Sequence, residues 1–110
     1  MFKLVKQIEK LEWPVTVKVP TAGGKTESHT FTAHFRVIPQ KQYEKALRES
    51  ADDATFISKF LVGWDGVNGE NDKPLTFSKK NLNDMCGMPF IRTAIIKAYS
   101  EAASGIEIKN

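Results

Sequence analysis

The chain of 110 residues is predicted to fold as an α+β domain, an N-terminal antiparallel β-hairpin packed against about four α-helices. Three observations lead there. Val15, Val17 and Val19 alternate with Thr16 and Lys18, and Phe31, Ala33, Phe35 and Val37 alternate with Thr30, Thr32, His34 and Arg36, the period-2 pattern of strands buried on one face. Between them "PTAGGKTES" supplies adjacent glycines, Gly23 and Gly24, which take positive φ without steric cost. After Pro39 the apolar spacing changes to the 3 and 4 of a helix.

Residues 1–13 form an N-terminal segment in this reading, residues 14–38 the hairpin and residues 40–105 the helical part of a single domain. Leu4, Ile8 and Leu11 have helical spacing, so a short amphipathic helix is expected before Pro14 stops it. An isolated hairpin is marginal in water, so helices must cover its Val and Phe face. The first is expected from Gln40 to Glu49, with Tyr43, Ala46 and Leu47 inward. A second, capped by Asp52 or Asp53, carries Phe56, Ile57, Phe60, Leu61 and Trp64 and stops near Gly63. Ser78 caps a third with Leu82 and Met85, ended by Gly87 in the left-handed conformation. Pro89 starts a fourth bearing Ile91, Ala94, Ile95, Ala98, Tyr99 and Ala102, with Gly105 as its stop.

Composition narrows function more by exclusion than by motif. Hydrophobic residues make up 41% and charged residues 26% of the chain, enough to fold one core and to bury about 65% of the surface an unfolded chain would expose. Sixteen Lys plus Arg against thirteen Asp plus Glu leave +3, spread along the chain. Only Lys79 and Lys80 are adjacent basic residues in the helical part, and they read as a solvated face rather than a phosphate track. One cysteine, Cys86, makes no internal disulfide and fits a reducing cytosol. No apolar run approaches the ~20 residues of a membrane span, and no signal peptide is expected.

No catalytic, cofactor or metal constellation is expected. Asp65, Asn68, Glu70, Asn71 and Asp72 offer oxygen atoms, but Val67 and Gly69 occupy ligand positions of a calcium loop and Glu70 the place of its glycine. His29 and His34 fall on opposite strand faces and read as surface or turn histidines. Cys86 reads as a small apolar residue, and the Asp52, Asp53 pair as a helix start favoured by the helix dipole. The residues themselves therefore point to a binding or interaction protein.

The order of parts adds a resemblance. "MFKL", "PVTVKVP", "GGK", "FTAHFRV", "FLVGWDGV", "PLTFSKKNL" and "AIIKAYSEAASG" follow one another along nearly the whole chain. In this order the chain resembles the small tail assembly chaperones of long-tailed, siphovirus-type bacteriophages and prophages. The strongest carriers are Gly63, Trp64, Asp65 and Gly66, then Pro74, Leu75, Phe77 and Ser78, with Gly23, Gly24 and Lys25 of the hairpin. Val5 to Glu12 is longer than that family's pattern before the first strand.

The resemblance implies a non-enzymatic protein of the bacterial host cytoplasm, left out of the mature virion. It would bind the tape measure protein and keep it competent during tail assembly, and a frameshifted longer form would recruit the tail tube protein. Trp64, Val67, Phe77 and Phe90 are the expected partner-binding residues. The competing expectation is a small structural virion protein of the head–tail connector or tail terminator type. A nucleic-acid-binding regulator is a third, disfavoured by the absence of a basic patch in the sequence.

Overall fold

The computed structural model describes residues 1–108. A long hairpin of β1 (Ile8–Thr21) and β2 (Lys25–Val37) is followed by α1 (Gln40–Glu49), α2 (Asp53–Ile57), β3 (Leu61–Asp65), α3 (Lys79–Cys86) and α4 (Pro89–Ala103). The architecture is α+β. The strands form one antiparallel sheet in the order β1-β2-β3.

The hairpin turns through Ala22, Gly23 and Gly24, where both glycines have positive φ, 80° and 74°, and Thr21 pairs with Lys25. Its alternation places Val15, Val17, Phe31, Ala33 and Phe35 on one buried face. Beta1 begins at Ile8, so the stretch expected to be a short helix is partly strand. As an edge strand, β1 accommodates Pro14 and Pro20.

The largest correction concerns the second helix. Asp52 caps it, accepting from the Thr55 backbone N–H at 2.7 Å, yet it ends at Ile57, and Leu61 to Asp65 return as a strand beside β2. The pairing explains why a strand there has helical spacing. Trp64 faces Ala33 and Leu61 faces Phe35, while Gly63 opposes His34, which leaves Val62 as the extra residue of a β-bulge. The bulge turns two residues spaced by three, Leu61 and Trp64, toward the same interior. A second irregularity lies across β2, where Ile8 and Leu11 oppose Val37 and Phe35. That pair too is spaced by three.

Alpha4 packs on β1 and β2, burying Ile95, Ala98 and Tyr99. It ends in a Schellman motif: Gly105, at φ 71°, donates to Ala102 O and Ile106 donates to Glu101 O. Ser78 caps α3 through Asn81 N at 3.1 Å. Gly87, expected in the left-handed conformation, instead has φ −67°, because α4 starts two residues on. Its lack of a side chain matters for space, since a Cβ would lie 3.3 Å from Asp84 O. In α1, Tyr43 and Ala46 turn inward, whereas Leu47 stays 59% exposed.

An aromatic cluster closes the core. Tyr99 stacks on Phe60 at 4.1 Å and on Tyr43 at 5.6 Å and meets Phe35 edge-on at 5.5 Å, while Tyr43 meets Phe56 edge-on at 5.2 Å. The Tyr99 hydroxyl accepts from the buried Ile38 N–H at 3.1 Å, fixing the end of the hairpin to α4. Burial pushes both tyrosine hydroxyls above their ordinary pKa.

Candidate functional site: two grooves, at Phe77 and at Val67 with Phe90

Beyond β3 the chain folds back on itself. Leu75 N–H donates to Val67 O and Gly69 N–H to Lys73 O, both at 2.8 Å, and Asn68 bridges to Pro74, so the acidic loop is a small hairpin. Asp72 sits at its tip with φ 60°, and the Asn71 side chain accepts from Lys73 N–H at 3.1 Å. Trp64 ties this hairpin to the body, its indole N–H donating to Leu75 O at 2.7 Å. Phe77 then meets the Trp64 ring edge-on at 4.8 Å.

The four expected partner-binding residues are divided by the structure. Trp64 is 7% exposed and belongs to the core, where it supports Phe77 from beneath. Phe77 lines a groove of about 960 Å³ between α2, β3 and α3, with Ala54, Leu61, Val62 and Leu82 as its other apolar walls. Val67 and Phe90 come together in a second groove of about 360 Å³, between the hairpin residues Val17, Val19 and Phe31 and the helical residues Met85 and Ile91. The pairs formed are thus Trp64 with Phe77 and Val67 with Phe90.

Charge distinguishes the larger groove. Lys59, Lys79 and Lys80 line it, opposed by Asp52. The Asp52 carboxyl lies below its ordinary pKa, first because it accepts the Thr55 backbone bond and further because Lys79 is near. Lys80 is held at 3.1 Å by Asp84, one helical turn away, and Asp53 pairs with Arg92 of α4 at 3.0 Å. Sequence reasoning left Lys79 and Lys80 on a solvated face. Lys59 joins them only because β3 reverses the chain after α2, a reversal hidden by the helical spacing of the apolar residues.

Cys86 is 6% exposed and faces the core, where burial first, and then the nearby Asp53, push its thiol up to about 11. Such a thiol is a packing residue at neutral pH. No helix among the described residues is long and apolar enough to cross a membrane. No protein-family model, curated protein or solved structure matches the chain. The functional reading therefore rests on the residues and the grooves they form.

Proposed function

We propose that the chain is a non-enzymatic holding protein of the phage tail assembly chaperone type, which binds the tape measure protein in the host cytoplasm during tail morphogenesis. The observation that carries the reading is the open groove of about 960 Å³ beside β3, apolar at Phe77, Leu61, Val62 and Leu82 and lined as well by lysines. A groove of this composition suits an amphipathic helix laid in by its apolar face, with acidic residues of the client meeting Lys59 and Lys79. Clients of the tape measure kind are long, largely helical and prone to aggregate, so their apolar faces need cover before assembly. Exposed Met1, Phe2, Leu4 and Val5 add apolar surface outside the groove.

The resemblance in the sequence suggests the client, and the open apolar groove supports the reading. A longer, frameshifted form that recruits the tail tube protein belongs to the same reading. The test is co-expression with the long helical protein encoded immediately downstream, followed by affinity capture and a solubility assay. The client should become soluble and co-purify. Phe77→Ser with Val67→Ser should abolish capture while the circular dichroism of the chain stays native. A client that remains insoluble and unbound, beside a chain that forms closed rings, would replace this reading with a head–tail connector or tail terminator subunit.

A further inference from the structure

Outside both grooves, on the face of the sheet turned away from α4, each strand contributes one metal-ligating side chain to a common point. Glu12 of β1, His34 of β2 and Asp65 of β3 place one ligand atom each within 4.8 Å of the others. His34 Nε2 lies 2.7 Å from Asp65 Oδ2 and 4.0 Å from Glu12 Oε1. We propose that these three residues form a binding site for a divalent transition-metal ion, with zinc the ion that the donor set fits best.

The imidazole is seated by the sheet. His34 is directly opposite Gly63, and a Cβ at that position would come within 2.8 Å of His34 Nδ1, so the glycine makes room for the ring against the backbone of β3. The His34 side chain is accordingly only 16% exposed, whereas those of Glu12 and Asp65 are 62% and 68% exposed. One ligand is seated by the sheet and two are exposed carboxylates, of which Asp65 is hydrogen-bonded to His34. Zinc bonds to imidazole nitrogen and carboxylate oxygen are about 2.0–2.2 Å, which puts ligand atoms of a tetrahedral ion roughly 3.4 Å apart. The separations here bracket that value, and rotation of the exposed carboxylates is enough to reach it.

The chemistry selects among ions. Calcium and magnesium favour all-oxygen shells, while imidazole suits zinc and its transition-metal neighbours. Two carboxylates facing one point repel each other, and a dipositive ion between them removes that repulsion. With three protein ligands, the fourth position opens to solvent, the coordination of a site that keeps an exchangeable ligand. The ion would also link both edge strands to the central one, so that metal binding and sheet stability are coupled.

The experiment is isothermal titration of the untagged chain with zinc chloride at pH 7.5, paired with thermal unfolding with and without zinc. Saturable binding of one ion per chain and a raised melting temperature are expected. His34→Ala should weaken binding by at least about tenfold, in the range that disturbing a metal site produces. Glu12→Gln, an exposed change on an edge strand, should weaken it in the same direction while leaving the metal-free fold intact. Gly63→Ala should displace the ring and lower affinity. His29→Ala is the control, since His29 pairs with Glu27 at 3.0 Å on the other arm of the pattern and should leave binding unchanged. The proposal is overturned if no saturable binding occurs, if it survives His34→Ala, or if His29→Ala removes it equally.

Discussion

The two faces of the three-stranded sheet are made from the same strands by opposite means. The inner face is apolar and covered: Val15, Val17, Phe31, Ala33 and Phe35 are all less than a tenth exposed and pack with α4 and the aromatic cluster. The outer face is polar and open, with Thr16 and Thr30 hydroxyls 3.2 Å apart, Arg36 3.5 Å from Glu9, and His34 between Glu12 and Asp65. Burial makes the inner face sensitive to volume. Solvation leaves the outer face free to carry chemistry, because a change there costs little stability.

Substitutions on each face test that contrast. Phe35→Ala empties a fully buried site between Phe60 and Tyr99, and should lower unfolding free energy by about 3–5 kcal/mol in denaturant titration. The thiol of Cys86 probes the same interior chemically. With its pKa near 11, it should react with a disulfide reagent at pH 8 about a hundredfold more slowly than an exposed thiol, and at the exposed rate after unfolding. The sign of its pH effect follows. A raised thiol pKa favours the neutral folded form, so this contribution is complete below the ordinary value near 9.0 and is lost as pH rises toward 11. The denaturation midpoint should fall across that interval, and Cys86→Ala should flatten the fall.

Smaller effects follow toward the outer face. Tyr99→Phe keeps the ring stacking but leaves the buried Ile38 N–H without its acceptor, a loss of about 1–3 kcal/mol readable by thermal unfolding. Thr30→Ala removes one hydroxyl of an exposed cross-strand pair and should cost roughly 0.2–1 kcal/mol. An outer-face loss as large as that of Phe35→Ala would mean that this face is covered as well. At acid pH, Asp52 adds a separate signal: its lowered pKa contributes stability above the ordinary carboxylate value, lost as pH falls through the folded one.

The same contrast shows what was legible in the sequence. Alternation in β1 and β2 named the inner face correctly from Val15 to Phe35, while the change of spacing after Pro39 placed α1, the Ser78 cap placed α3 and Pro89 placed α4. Beta3 was not legible. Its bulge at Val62 turns Leu61 and Trp64 inward at a spacing of three, which continues the stripe of Phe56, Ile57 and Phe60 as a helix would. Near the start of β1, Leu11 packs on the core while Ile8, across the register irregularity, stays 40% exposed, so the helical spacing there marks no buried stripe. Gly63, a poor helix residue, was the available warning.

For the candidate sites the limit was topology. Phe77 and Phe90 were both expected among the partner-binding residues, but their assignment to different grooves depends on the loop hairpin pinned by Trp64 to Leu75. The row of Glu12, His34 and Asp65 requires knowing that β3 pairs with β2 and not with β1. His34 lay in the alternation already read, but Glu12 fell in the segment expected to be helical, and only the extension of β1 back to Ile8 sets it directly opposite His34.

The bond from Ile38 to Tyr99 joins residues 61 positions apart. During synthesis the hairpin, α1, α2 and β3 are all made before α4. The inner face is therefore finished as a surface well before it is covered, and Phe35 and Phe60 remain open to other chains for that interval. At the usual pace of about 5–20 residues per second, the stretch from the end of β3 to the end of α4 takes a few seconds to make. The chain thus passes through a nascent stage in which its own apolar face needs shelter.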